Sequence, residues 1–356
     1  MSSQFASADA LDVRLRRDAS GNAVLLNFVP PFSPETTRFF AYARHALHVG
    51  LRLANIQAGQ QVLVPAFICR DLLAPIHAVG AEPVFYAVDQ QLRPLAFPDA
   101  QKVRAVIAVN YFGFPQDLTL FRAYCEQHDA VLIEDNAHGF LSQDATGAIL
   151  GARGDLGLFS MRKTFVLPDG AALRVNKPEW RGRLEPPLPC RDEPLPVTYR
   201  VKHGLARVQQ KTGVPILAMG QDLARGIRRW RTGYEVAPSM SKSEYEMLPI
   251  SAPHCRSLAA LSRRDAAGEI ARRRELYREF HAALATLGIH PVFADLPVGT
   301  APYGYPFYAD SPAAQAVTKI ARKHGLDCIH WPDLPAAVAP TAPQHYRSLW
   351  LVNFLC

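Results

Sequence analysis

The sequence predicts an α/β protein: a mostly parallel sheet flanked by helices, with a small α+β unit at the C-terminus. Three observations predict it. Short apolar runs alternate with helical patterns from residue 38 to residue 176, the signature of βαβ units. One run, VRAVIAVNYFG at 103–113, is apolar almost throughout, as strands buried on both faces of a parallel sheet are. From Lys177 the chain turns proline-rich, and it later follows a β-β-α-β order.

RFFAYARHALHVGLRLAN at 38–55 sets Phe40, Leu47, Leu51 and Leu53 at helical spacing. QVLVPAF at 61–67 is a short β-rich run ended by Pro65. Residues 70–79 read as a helix stopped by Gly80, and PVFYAVD at 83–89 as a second strand. The 103–113 strand, an amphipathic helix at 118–129 and the strand AVLIED at 130–135 follow. DLGLFSM at 155–161 and GAALRVN at 170–176 are two more strands, and GARGDLG at 151–157 is a turn leading into the first of them.

The stretch 177–200 reads as a surface excursion, and 199–231 as helical and basic. Residues 256–288 read as one long helix stopped by Gly288. IHPVF, YGYPFYA, a helix at 312–324 and LDCIHWP complete the C-terminal unit. This divides the chain into a large domain at 1–240 and a small one at 241–356.

The 356 residues are 49% hydrophobic and 20% charged, which excludes disorder over the whole chain. No apolar run approaches the ~18 residues of a membrane span, and the N-terminus lacks the apolar core of a secretory signal, so a soluble cytoplasmic protein is expected. The net charge of +7 favours anionic partners. The densest basic clusters, Arg228–Arg231 and Arg272–Arg274, are short and read as solvated helix faces. The six cysteines form no CxxC pair, so reduced thiols are expected rather than a disulfide framework or a zinc site. His45, His48, His77 and His254 lack metal-ligand spacing, and no metal is expected.

Ligands of open α/β sheets sit at the C-terminal ends of the strands. The chemistry is therefore sought at Pro65–Arg70, Asn110–Gly113, Asp135–His138 and Ser160–Lys163. Lys163 follows Ser160 by three residues. A lysine there can form a Schiff base with a carbonyl cofactor such as pyridoxal phosphate, while the serine hydroxyl can hold a phosphate. The same spacing also occurs in serine acyl-enzymes. Asp135 ends a buried strand in LIEDNAH, beside Glu134 and three residues before His138. It reads either as a helix cap or as the partner of a pyridinium nitrogen that makes the ring an electron sink. At the start of the first helix, Ala43 and Arg44 lie where amides and an arginine can hold an anion.

Four ordered blocks carry a resemblance. VLVPAFICRDLLAPIHAVGAEPVFYAVD, VIAVNYFGFPQDL, VLIEDNAHGF and GDLGLFSMRKTFVLPDGAAL resemble those of the DegT/DnrJ/StrS-type nucleotide-sugar aminotransferases, across about residues 40 to 176. The resemblance implies a fold-type-I transferase that uses pyridoxal phosphate. It implies Asp135 on the pyridine nitrogen, His138 near the ring hydroxyl or phosphate where the family usually has glutamine, and Ser160 on the phosphate. Lys163 becomes the Schiff-base lysine if two residues are deleted between serine and lysine; the six residues from Lys163 to Asp169, where DGAA replaces EGG, support that placement. Ala43 and Arg44 fall on the phosphate-holding Gly-Thr. Cys69 falls where an aromatic usually stacks on the ring, with Phe67 and Phe112 as candidate substitutes. Asn110 replaces a usual histidine. PISAPHCRS stands where a partner-subunit motif is expected, and the chain stops at LWLVNFLC, where relatives commonly continue.

The resemblance implies transfer of an amino group from an amino acid, glutamate in the family's manner, to a nucleotide-linked keto sugar. It implies a homodimer with shared sites, with no nucleic-acid or membrane partner. Three alternatives stand beside it: a sugar dehydratase on the same scaffold, against which Lys163 argues; a catalytically silent regulatory or scaffold protein; and a nucleic-acid-binding module using Arg228–Arg231.

Overall fold

The computed structural model describes residues 32–195 and 241–355, the backbone of two short strands at 15–17 and 23–25, and residues 197, 199, 201 and 204. The basic cluster Arg228–Arg231, and all but a few residues of the helical stretch expected at 199–231, lie outside the described residues.

Strands β1 (Leu15–Arg17) and β2 (Ala23–Leu25) form an antiparallel pair. β3 (Thr37–Phe40) leads into helix α1 (Ala43–Leu53). Next come β4 (Gln61–Pro65), α2 (Ala74–Ala78), β5 (Glu82–Tyr86), β6 (Val103–Val109), α3 (Thr119–His128), β7 (Val131–Asn136), β8 (Leu156–Phe159) and β9 (Ala171–Val175). These strands make one seven-stranded sheet in the order β3-β9-β8-β7-β6-β4-β5. β5, β4, β6, β7 and β8 are mutually parallel. β9 runs against both β8 and β3, so β3 points the same way as β8. The C-terminal ends of β3, β4, β6, β7 and β8 therefore share one edge, and α1 begins there.

The sheet is apolar because both faces are covered. Val62, Leu63, Val106, Ile107, Ile133 and Leu156 are all buried. The second half of the expected helix at 38–55 forms, but its first residues are β3, held against β9 by pairs such as Phe40↔Ala171. A helical spacing read from four apolar residues does not reveal a four-residue edge strand in front of it.

Beyond residue 240, α4 (Cys255–Leu261) and α5 (Ala266–Ala285) replace the single helix expected at 256–288. The break is chemical: Asp265 caps α5 by accepting the Gly268 amide at 2.9 Å. β10 (Gly304–Tyr308), α6 (Ser311–Lys323), β11 (Asp327–His330), α7 (Gln344–Arg347) and β12 (Leu349–Asn353) follow. IHPVF contributes one isolated bridge, Pro291↔Phe307, rather than a strand. The terminal LWLVN, unassigned in the sequence reading, is the middle strand of the order β10-β12-β11. Leu349, Leu351 and Val352 are fully buried. One apolar cluster runs from the large sheet into this small one.

Two further expectations do not hold. Arg273 is buried in the core, so the Arg272–Arg274 cluster is not a solvated face. Cys190 and Cys255 are disulfide-bonded across 65 residues, so not all cysteines are reduced thiols; Cys69, Cys125 and Cys328 are free. Among the described residues, no helix is long and apolar enough to cross a membrane.

The bond predicts a measurable contribution. In the chain-entropy picture, closing a loop of this size adds up to about 4 kcal/mol. Non-reducing digestion should yield the 190 and 255 peptides as one linked pair. Reduction should lower the urea-unfolding free energy of the full chain by up to that amount; two separate peptides and an unchanged free energy would refute the pairing.

Candidate active site

Each sequence-selected segment follows a strand that ends on the common sheet edge. Lys163 lies in a short 3-10 turn, Met161–Lys163, directly after β8. Asp135 is on the adjoining strand, in register with Leu158 of β8. The Lys163 amine lies 3.1 Å from Nε2 of His138.

The electrostatics tie these groups together. Asp135 is buried and accepts the Ala137 amide at 2.9 Å. Burial pushes its carboxyl above the ordinary range, opposed by the charge of Lys163 and by the Ala137 hydrogen bond. Burial, reinforced by Lys163, holds His138 well below the usual imidazole range. Burial also raises the Cys69 thiol; Lys163 pulls it down while Asp71 and Asp135 push it up. Cys69, Asp135, His138 and Lys163 thus occupy one pocket of field.

Ser160 is buried at the end of β8, and its carbonyl accepts the Lys163 amide at 3.0 Å. Ala43 and Arg44 are the first two residues of α1. The Tyr42 cap position makes no side-chain cap, and the first turn carries no acid. The guanidinium groups of Arg44 and Arg162 lie 5.2 and 5.5 Å from the Tyr42 ring centroid. An uncapped helix start with two arginines beside it favours an anion such as phosphate. The donor set therefore fits pyridoxal phosphate: an amine for its aldehyde, a buried carboxylate for its ring nitrogen, a helix start that favours an anion, and a buried strand-end serine.

The aromatic surroundings differ from the sequence reading. Phe67 is in the core against Tyr111, Trp331 and Tyr346. Phe112 and Tyr303 both lie nearly parallel to the His138 ring, at 5.5 and 4.6 Å, and Trp331 meets its edge at 5.4 Å. Tyr303 and Trp331 flank strands of the small sheet, and no motif marks them.

Glu134, adjacent to Asp135, serves a different purpose. It is fully buried and takes Arg153 at 2.6 Å and Asn110 at 2.8 Å. Arg153 also donates to Asn110 at 2.9 Å. Asn110 thus ties the end of β6 to β7 and to Arg153.

Two clamps hold the loop after Lys163. Asp169 accepts from Ser257 Oγ at 2.6 Å, from the His254 amide at 3.0 Å and from Arg191. Arg191 and His254 are next in sequence to the bonded Cys190 and Cys255. Gly170, at φ +127°, supplies a backbone that other residues rarely adopt. The second clamp is Arg273, which donates to the carbonyls of Thr164 at 2.7 Å, Pro302 at 3.0 Å and Tyr303 at 3.2 Å, and to Glu269 at 2.6 Å. It joins the Lys163 loop to the segment carrying Tyr303. Its position inside an Arg-Arg-Arg run gave no sign of this.

The sequence profile of the DegT/DnrJ/EryC1/StrS aminotransferase family matches residues 40–186. The chain is 30% identical over 138 residues to GDP-perosamine synthase of Vibrio cholerae, covering 37% of each chain. It is 32% identical over 120 residues to a UDP-N-acetyl-3-dehydro-alpha-D-glucosamine 3-aminotransferase of Acidithiobacillus ferrooxidans, covering 32% of each. These matches span about a third of the relatives' length. The whole fold is similar to the aminotransferase TlmJ of Streptoalloteichus hindustanus, with TM-score 0.58, 20% identity, and 90% and 80% of the two chains covered. It is also similar to the sugar aminotransferase CalS13 of Micromonospora echinospora, with TM-score 0.59, 17% identity, and 89% and 82% covered. The fold is that of the fold-type-I aminotransferases.

Replacing Arg273 by Met should destabilise the full chain by about 3 kcal/mol, since several buried acceptors lose their donor. Urea unfolding checks it: a loss below 1 kcal/mol would remove Arg273 from the frame of the site.

Proposed function

We propose that the protein is a pyridoxal-phosphate-dependent aminotransferase that moves an amino group from an amino acid, glutamate being the first donor to test, to a keto sugar carried on a nucleotide. The observation that carries this reading is the electrostatic coupling of the Lys163 amine to the buried Asp135 carboxyl at adjacent strand ends. The sugar-aminotransferase names of the relatives support the substrate class. The segment match and the donor set support the cofactor.

When bound, the cofactor supplies an electron sink for a carbanion at the substrate. Lys163 would bind its aldehyde and, once displaced by the amino donor, would move a proton to and from the α-carbon of the donor. Asp135 would hold the proton on the ring nitrogen. Ser160, Arg44 and the first amides of α1, at Ala43 and Arg44, would hold the phosphate. Cys69 would border the ring where an aromatic is usual. We read residues 1–240 as the cofactor-binding domain and 241–356 as the smaller one. The working unit would be a homodimer with shared sites, placed in the cytoplasm, where the Cys190–Cys255 bond is reducible.

The full chain incubated with pyridoxal phosphate should gain a visible absorbance band. Glutamate should bleach that band, and a panel of nucleotide-linked keto sugars should restore it with a mass change of the sugar from ketone to amine. Lys163→Ala should lose the band's response to glutamate, and Asp135→Ala should weaken cofactor retention at least tenfold. A band that no amino acid alters would favour a silent scaffold; no band at all would end the proposal.

A further inference from the structure

Asp169, at the end of the loop that begins at Lys163, is buried, and among the described residues its one cationic partner is Arg191. Its hold reaches back to the lysine through the next residue. The Gly170 amide donates to the Ala41 carbonyl at 2.9 Å, and the Gly170 carbonyl accepts the amide of Arg162, beside Lys163, at 3.4 Å. Arg191 itself is weakly anchored. Residues 185–189 and 192–194, on either side of it, are exposed and form neither helix nor strand. Its amide donates to the Pro253 carbonyl at 3.0 Å, its carbonyl accepts the Cys255 amide at 2.8 Å, and its Nε donates to the Ala252 carbonyl at 2.7 Å. Each such bond contributes modestly. The Arg191 side chain is 34% exposed, so its ion pair does not by itself hold the segment in place. The covalent link is the Cys190–Cys255 bond, one residue away.

We infer that the Cys190–Cys255 bond is a redox switch on the Lys163 loop: the oxidised chain keeps Arg191 on Asp169, and the reduced chain releases it. The reaction is thiol–disulfide exchange with a dithiol reductant. Cys190 is the less buried of the two cysteines and is the end open to attack. The reductant's thiolate attacks the Cys190 sulfur, and the bond to the Cys255 sulfur breaks. A second thiolate then frees Cys190. Two thiols form, taking up two electrons and two protons, and the reductant leaves as its own disulfide. With Arg191 gone, Asp169 keeps its hydrogen bonds from His254 and Ser257 but has no cation. A buried carboxylate stripped of its counter-charge is strongly destabilised, and it reaches water only if the loop opens. In a reducing compartment a bond of this kind is usually transient, catalytic or redox-sensing.

Hydrogen–deuterium exchange on the full chain without cofactor tests the switch. One sample is oxidised with glutathione disulfide; the other is reduced with dithiothreitol and desalted. Amides at 163–170 should exchange about tenfold faster in the reduced chain, as expected for local opening around a buried carboxylate that has lost its cation, while those of β6 stay unchanged. Equal exchange at 163–170, or a matching rise in β6, overturns the switch, as does a chain that forms no Cys190–Cys255 link on oxidation. This comparison needs no substitution. Arg191→Met tests the route: with the bond intact it should loosen 163–170 as reduction does, and reducing it should add less than twofold. A further tenfold rise on reduction would overturn the route through Asp169. The consequence for the cofactor rests on Lys163 being the reacting amine. The reduced chain should hold pyridoxal phosphate more weakly than the oxidised one; equal affinity overturns the link to the cofactor. Binding in neither state would count against the proposed activity and leave the exchange result to decide the switch.

Discussion

Burying the carboxylate of Asp135 at the end of an apolar strand is unfavourable unless something positive offsets it. Among the described residues, one backbone amide and the charge of Lys163 compensate it. A pyridinium nitrogen would complete it. The need to compensate that carboxylate orders much of what surrounds it: parallel strands deliver both side chains to one edge, and the surrounding aromatic side chains keep water away. It also explains why the neighbouring Glu134 cannot substitute. That carboxylate is already saturated by Arg153 and Asn110 on the other side of the strand.

The small sheet is part of this site rather than an appendage. Tyr303 and Trp331 border the His138 ring, and the Tyr303 amide donates to the Phe112 carbonyl at 2.8 Å. Arg273 fixes the same segment to the Lys163 loop. Disturbing β12, the middle strand of that sheet, would therefore be felt at the amine without touching it. The Asp169 clamp works from the opposite side, through residues adjoining the Cys190–Cys255 bond.

The alternation of strands and helices up to residue 176 was legible because strands such as β6 are buried on both faces and so are apolar throughout. The positions of Lys163, Asp135 and His138 on one edge followed from parallel topology. What was not legible depends on distant partners. The Phe67 and Phe112 rings look alike in sequence, but one packs into the core and the other against His138. Arg273 differs from Arg272 and Arg274 only in the direction it faces on α5. The pairing of Cys190 with Cys255 needs a meeting of segments 65 residues apart that no local pattern records. β12 was missed because a short terminal run gives no periodicity to read.

The account stands on one lysine. Borohydride reduction of the full chain with pyridoxal phosphate, followed by peptide mass spectrometry, would locate the modified amine. The account expects a phosphopyridoxyl group on Lys163 alone at stoichiometric cofactor; the same group on another lysine, with Lys163 unmodified, would contradict it.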